Sequence, residues 1–341
     1  MPKASFPGQS PAGKMVWLAV EGTHGQVSSI VHRFGKSCKK AQTPKAVQAM
    51  AFLPHAYGCD ILRPGHTKEK QIRNEMRMDT ITVAIDAAHR AGELALRQFR
   101  QPQEIRRKGP ADPVTATDVA AEDMIVSTIR RAFPDHEFLG EEGHRAPTDA
   151  EYLWVIDPID GTRNYAHGIP FFCTSIALAR HGQPVLGVIY DPTLKETFHA
   201  EAGRGAYLNG QPIHVSHKTK LEDAILSLSL VPARQVGNAH VALPMLMRLQ
   251  PAVESVRIMG SAALHLAYVA CGRFDVGFQD SVHAWDVLAG VLLVQEAGGI
   301  VTDLMGQPVS TSSHDCIAAN NASFHSAVLR IAEEVAAERK P

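Results

Sequence analysis

The chain is poor in cysteine: five residues in 341 (Cys38, Cys59, Cys173, Cys271, Cys316), scattered, odd in number and with no C-x-x-C pair. That excludes a disulfide framework and a paired-cysteine zinc site, and points to a reducing compartment, here the cytoplasm. No apolar run nears the ~20 residues that cross a bilayer, so no membrane-spanning segment is expected. Net charge is almost nil, with 34 Lys/Arg against 35 Asp/Glu, which argues against a chain that binds nucleic acid or an anionic membrane with its whole surface. The seventeen histidines form no H-x-x-x-H zinc array, and there is no internal repeat or low-complexity tract. What remains is a globular composition, 45% hydrophobic and 20% charged, long enough for two ordinary domains.

The charge balance conceals an asymmetry. Residues 1–77 hold twelve Lys/Arg and four acids, a net +8, and the rest of the chain carries about −9. The first segment has scattered prolines and no sustained periodicity. It reads as a basic extension: a transit segment, an interaction arm, or sequence upstream of a true start at Met78, the reading favoured here because a helical stripe begins directly after that methionine. Two further regions are expected, an α+β domain over 78–218 and an α/β domain over 219–338.

Within 78–218, Ile81, Ile85, Ala88, Ala95 and Phe99 mark a helix to about Arg100, and Ile105–Lys108 a short strand. Ala121, Ile125, Ile129, Ala132 and Phe133 mark a second helix. Tyr152–Ile156 is a buried strand, Thr174–Arg180 and Val185–Tyr190 form an antiparallel pair about His181-Gly182, and Asn209-Gly210 is a hairpin turn. Beyond, strands at 225–231, 256–258, 274–278 and 300–302 alternate with helices at 244–249, 261–271 and 286–297. This alternation indicates an α/β second half.

Acids cluster at the ends of these elements: Asp118, Glu141-Glu142, Asp157 and Asp160, and Asp286. Each has a plainer reading. Asp157 and Asp160 suit a turn beside Pro158 and Gly161; Asp118 and Asp286 suit helix caps; Glu141-Glu142 suits a solvated surface. The apolar strand running into Asp157-Pro158-Ile159-Asp160-Gly161-Thr162 is the most informative. Two carboxylates at one strand exit suit a hard divalent cation such as Mg²⁺, and a helix opening at Gly161-Thr162 offers amides to a phosphate. Together they suggest metal-assisted phosphoryl transfer to water.

Asp112–Asp118 (DPVTATD), Gly140-Glu141-Glu142, Trp154–Thr162 (WVIDPIDGT) and Trp285-Asp286 in HAWDVLAG…EAGG resemble the inositol monophosphatase family in order and spacing, over about Met78–Glu334. The resemblance implies a layered α-β-α-β-α sandwich of α+β class, a homodimer, and lithium-sensitive, Mg²⁺-dependent hydrolysis of a small phosphomonoester with two or three ions. Carried over by position, Glu141, Asp157, the Ile159 carbonyl, Asp160 and Asp286 are metal ligands, with Asp157 bridging. Asp118 pairs with Thr162 to orient the attacking water, and the Gly161 and Thr162 amides hold the phosphate. Lys108 lies one residue from the position of a family lysine near the metals. Gly260, Ser261 and Ala262 resemble the segment lining the substrate ring, where Asp160 also contributes. Gln279 stands where many inositol phosphatases have a glutamate, with Asp280 beside it.

Inositol-1-phosphate is the leading substrate on this resemblance, and histidinol phosphate, sugar bisphosphates and 3′-phosphonucleotides are the alternatives. A non-enzymatic alternative is an RNA- or transcription-complex-binding protein on the same fold; the net negative charge of residues 78–341 argues against a nucleic-acid partner. His283 reads as packing or rim, Cys173 as an inert core thiol, and Gly203-Arg204-Gly205 as a turn.

Overall fold

The structure, a computed structural model, describes residues 20–21, 27–28, 65–101, 105–109, 112–230 and 241–338. The chain divides into two compact units. In residues 1–63 the described part is an antiparallel pair, Val20–Glu21 with Val27–Ser28. The second unit, residues 64–341, opens with α1 (Gly65–Gln98). This helix crosses Met78, where the sequence pattern places its start. Residues 65–77 are rich in Lys, Glu, Gln and Arg, which are good helix formers, but they carry no apolar stripe for periodicity to detect.

The strands β1 (Ile105–Gly109) and β2 (Asp112–Thr115) form a ribbon leading into α2 (Ala116–Ala132). Thr115 is the N-cap of α2 and Asp118 its third residue; the two exchange hydrogen bonds as a capping box. Of the predicted apolar face, Ala121, Ile125 and Ile129 are fully buried, whereas Ala132, in the last turn, is exposed and Phe133, the C-cap, is half-buried.

Seven strands follow: β3 (Glu137–Gly140), β4 (Tyr152–Asp160), β5 (Cys173–Arg180), β6 (Gln183–Asp191), β7 (Glu196–Glu201), β8 (Ala206–Leu208) and β9 (Gln211–Ile213), with the short helix α3 (Thr162–Ala166) after β4. They make one sheet in consecutive order, antiparallel apart from the parallel β3–β4 pair. The expected turns are present: His181 and Gly182 (φ 49° and 78°), and Asn209 and Gly210 (φ 50° and 76°), take the left-handed conformation of a two-residue type I′ hairpin.

The second sheet contains β10 (Ile225–Leu228), β11 (Ser255–Arg257), β12 (Val276–Asp280), β13 (Ile300–Thr302) and β14 (Asp315–Ala319), ordered β11-β10-β12-β14-β13. The first of these ends at Leu228, and Val231, its expected limit, lies outside the described residues. The helices here are α4 (Ala242–Leu249), α5 (Ala262–Ala270), α6 (Ala284–Glu296) and α7 (Ala322–Glu338).

The layers follow from which faces are apolar. Trp154 and Ile156 face α1 and α2, while Leu153 and Val155 face α5 and α6. Burial on both faces explains why Tyr152–Ile156 reads as a continuous apolar run. The far side of the α5/α6 layer meets Cys316 and Ala318 of the second sheet. Met245, Phe324 and Val328, from α4 and α7, cover the last face against Leu226, Phe278 and Ile317. The result is the expected α-β-α-β-α sandwich. Each large side chain so buried contributes about 1.5–3 kcal/mol. Among the described residues no helix is long and apolar enough to cross a membrane.

Candidate active site

The site is built on an irregularity at the end of β4. Asp157 lies opposite Ser175 and Asp160 opposite Cys173, so three steps on β4 match two on β5. On a regular strand, residues three apart face opposite ways; the extra residue of a bulge turns both carboxylates to one side. Pro158 causes this, since it has no N–H to give the ladder. Its carbonyl accepts from Thr174 Oγ1 (3.0 Å), and Asp157 Oδ1 accepts from Ile159 N (3.0 Å), fixing the bulge.

Asp286 joins them from α6. It is the third residue of that helix, not its N-cap; His283 holds the cap position and donates its backbone N–H to Asp286 Oδ2 (2.6 Å). Ser175 Oγ donates to Trp285 O (3.2 Å), tying the helix start to β5. One carboxylate oxygen each from Asp157, Asp160 and Asp286 lies within 4.8 Å of the others.

Like charges this close, away from water, disfavour the ionised form. Burial, then the charges of Glu141, Asp160, Asp286 and Asp118, hold the Asp157 carboxyl well above its ordinary range. Burial and Asp286 raise Asp160 to about 7, against the opposing pull of donors from Ser261 and Ala263. A cluster that favours protons when bare is suited to a divalent cation, and an all-carboxylate donor set suits Mg²⁺. Cys173 Sγ, 3.9 Å from Asp160 Oδ2, is no competitor: burial pushes its thiol up and keeps it protonated.

The other predicted residues surround this group. Glu141 leaves β3 with its N–H on Ile156 O (3.1 Å) and exerts the strongest of the neighbouring charges on Asp157. Asp118 Oδ2 accepts from Thr115 N (2.9 Å) and Thr115 Oγ1. Thr162 Oγ1 donates to the Ile159 carbonyl (2.9 Å). Glu141 and Asp118 lie outside the three-acid group. Lys108 falls in β1, and its side chain is outside the described residues.

Gly161 (φ 94°) starts α3 in a left-handed conformation, and a Cβ there would meet Phe171 O at 3.0 Å and Gly260 O at 3.2 Å. Asn164 Nδ2 donates to Phe171 O (2.8 Å) and Met259 O (2.6 Å), pressing α3 onto the Met259–Ser261 turn. Beyond that turn, buried Ser261 caps α5, accepting from Leu264 N (3.2 Å), and donates to Asp160 Oδ2, which also accepts from Ala263 N (2.8 Å). Ala262, the first residue of α5, is buried between them. Gln279 is fully buried, its Oε1 accepting from Ser229 N (3.1 Å). Asp280 Oδ2 accepts from Val241 N (2.7 Å) and Ala242 N (3.2 Å), at the start of α4.

Sequence reasoning missed Glu122. This buried carboxylate on α2 accepts from the backbone N–H groups of Glu142 (2.7 Å), Gly143 (2.9 Å) and His144 (3.2 Å), and pairs with His144 Nδ1 (2.8 Å). One signal was available: Glu122 lies three and seven residues before Ile125 and Ile129, on the buried face of its helix. Among residues set aside, exposed His283 stacks on Trp285 (4.5 Å between ring centroids), and the Gly203 and Gly205 amides of the expected turn donate to Glu296.

A sequence profile of the inositol monophosphatase family matches residues 77–337. The chain is 40% identical over 261 residues to inositol monophosphatase 2 of Solanum lycopersicum, covering 74% of this chain and 98% of that protein. It is 41% identical over 251 residues to the Nus factor SuhB of Pseudomonas aeruginosa, covering 72% and 92%. Among solved structures it is similar to the inositol monophosphatase from Anabaena (Nostoc), with a TM-score of 0.67, 38% identity and coverage of 75% and 96%.

Proposed function

The chain belongs to the inositol monophosphatase family and is a phosphoric monoester hydrolase; from there we propose that it hydrolyses inositol-1-phosphate, or a similar small polyol phosphate, with Mg²⁺ as its cofactor. The observation that carries this reading is the convergence of Asp157, Asp160 and Asp286. With Glu141 and the Ile159 carbonyl they would hold two or three ions. Bound Mg²⁺ supplies positive charge to phosphoryl oxygens and makes water a stronger nucleophile near neutral pH.

The protein's own groups bind and orient. The Gly161 and Thr162 amides receive phosphate oxygens, Gly161 being held left-handed for that approach. Glu141, Thr162 and Asp118 orient the attacking water, with Thr162 steadied by the Ile159 carbonyl. With water as the nucleophile no covalent phosphoenzyme is required, and the nearby Cys173 thiol is held protonated by burial.

Gly260, Ser261, Ala262 and Asp160 face the alcohol portion, and Gln279 is buried behind them, its Oε1 on Ser229 N and its Nε2 3.4 Å from His265 Nδ1. A neutral amide at 279 supplies no negative charge to attract a cation. Asp280, the nearest carboxylate in sequence, is committed to the start of α4. Both favour a polyol over the cationic histidinol phosphate. The enzyme acts in the cytoplasm as a homodimer. A second reading, binding to RNA or a transcription complex on the same fold, is favoured by relatives that bear the name Nus factor.

Phosphate release from inositol-1-phosphate, histidinol phosphate, fructose 1,6-bisphosphate and 3′-phosphoadenosine phosphate, with and without Mg²⁺ and Li⁺, tests the proposal. Mg²⁺-dependent, Li⁺-inhibited turnover fastest on the first is expected. Inactivity on all four favours the second reading.

A further inference from the structure

We propose that Glu122 is a positioning residue that sets the affinity of the metal site by fixing the turn that carries Glu141; this rests on the reading of the acids as a metal site. The carboxylate is 2% exposed and lies on α2, the outer helical layer, facing the end of β3. Its Oε2 accepts from Glu142 N, and its Oε1 from Gly143 N, His144 N and His144 Nδ1. A buried carboxylate is retained only where donors satisfy it, and here three successive backbone amides do so. They are the amides directly after Glu141. Displacing the carboxylate therefore frees the backbone on the C-terminal side of Glu141.

The seat is tight from the other side as well. A Cβ on Gly140, the residue before Glu141, would fall on the Glu122 carboxylate. Gly140 keeps a negative φ, so the space taken by Glu122, and not a left-handed backbone, calls for glycine there. Arg145 closes the same turn, its guanidinium donating to the carbonyls of Gly140, His144 and Glu141 and lying 5.7 Å from the Trp285 ring, next to Asp286. Glu122 thus grips the inner edge of a turn whose outer edge reaches the Asp286 helix. Groups that orient metal ligands commonly control affinity by about 10–100-fold when removed.

The test is direct binding of Mn²⁺ to the full chain, followed by electron paramagnetic resonance and, for Mg²⁺, by calorimetry. The variants are Glu122→Gln, Gly140→Ala and Glu122→Asp. Glu122→Gln and Gly140→Ala are expected to weaken Mn²⁺ binding by about 10–100-fold, and to raise the Mg²⁺ concentration for half-maximal phosphate release in proportion, while kcat at saturating Mg²⁺ falls much less. Glu122→Asp, which keeps the charge, is expected to recover part of the loss. Folded Glu122→Gln and Gly140→Ala proteins that bind Mn²⁺ within twofold of wild type would overturn the proposal alone. So would failure of all three to fold, which would make Glu122 a residue of stability only. A wild-type chain that binds no Mn²⁺ would overturn the metal-site reading and this proposal together.

Discussion

Asp157 and Asp160 stand three residues apart on β4 and reach one point because the strand slips against β5 between them, Asp157 facing Ser175 and Asp160 facing Cys173. The slip takes two charges that regular pleating would separate and sets them beside Asp286.

In metal-free protein the crowding sets the direction of the pH dependence. Native Asp160 keeps its proton up to about pH 7, whereas the unfolded chain releases it near 3.8. Between those values the native state binds the extra proton, so stability falls as pH rises through the window; Asp157 acts with the same sign. Calorimetry in EDTA should show Tm declining from about pH 4.5 to 7, Asp160→Asn should lessen the decline, and Mg²⁺ should restore Tm at pH 7.5. A decline identical in wild type and Asp160→Asn counts against the crowding.

Ser261→Ala removes a donor to Asp160 and the N-cap of α5 together. Loss of the cap should cost about 1 kcal/mol, visible as a lower Tm. Loss of the donor raises Asp160 further, so the acid limb of the pH–rate profile should move to higher pH. An unshifted limb would show that Ser261 does not tune Asp160 during turnover.

Gly161→Ala places a Cβ in a left-handed backbone (φ 94°), 3.0 Å from Phe171 O. The conformation alone costs about 1–2 kcal/mol, and relief would turn the amides of 161 and 162. Phosphate release should fall at least tenfold with little change in Mn²⁺ binding. An equal loss of metal binding would place the effect on Asp160 instead.

Gly290→Ala probes the layer shared by both sheets. Its Cβ would strike the Leu266 side chain where α6 crosses α5. Overpacking of this kind costs about 1–3 kcal/mol, to be read as a lower urea midpoint at unchanged slope.

Much of this was legible in the residues because it is local. The apolar run Tyr152–Ile156, the left-handed pairs His181-Gly182 and Asn209-Gly210, and the stripe Ala121–Ile125–Ile129 each carry their own signal, and the acids were visible as element ends. What the sequence hid depends on tertiary contacts. The first turns of α1 lack an apolar stripe, so periodicity places the helix start at Met78 and not at Gly65. Asp118 and Asp286 suit helix caps as well as the site, but the cap position itself is held by Thr115 and His283, and both acids close the cap from the third helical position. Strand β14 and helix α7 were not read, although Ile317, Phe324 and Val328 are buried. Glu122 looked like an ordinary helical acid because its partners lie twenty or more residues away.

The central claim is that carboxylates from separate stretches hold hard cations for attack on phosphorus. Its most direct test is phosphate release from inositol-1-phosphate by wild type and Asp157→Asn across Mg²⁺ concentrations, with circular dichroism to confirm folding. Wild type should show saturable Mg²⁺ dependence, and folded Asp157→Asn should lose nearly all turnover at every Mg²⁺ concentration. Turnover retained by Asp157→Asn at saturating Mg²⁺ would contradict the claim.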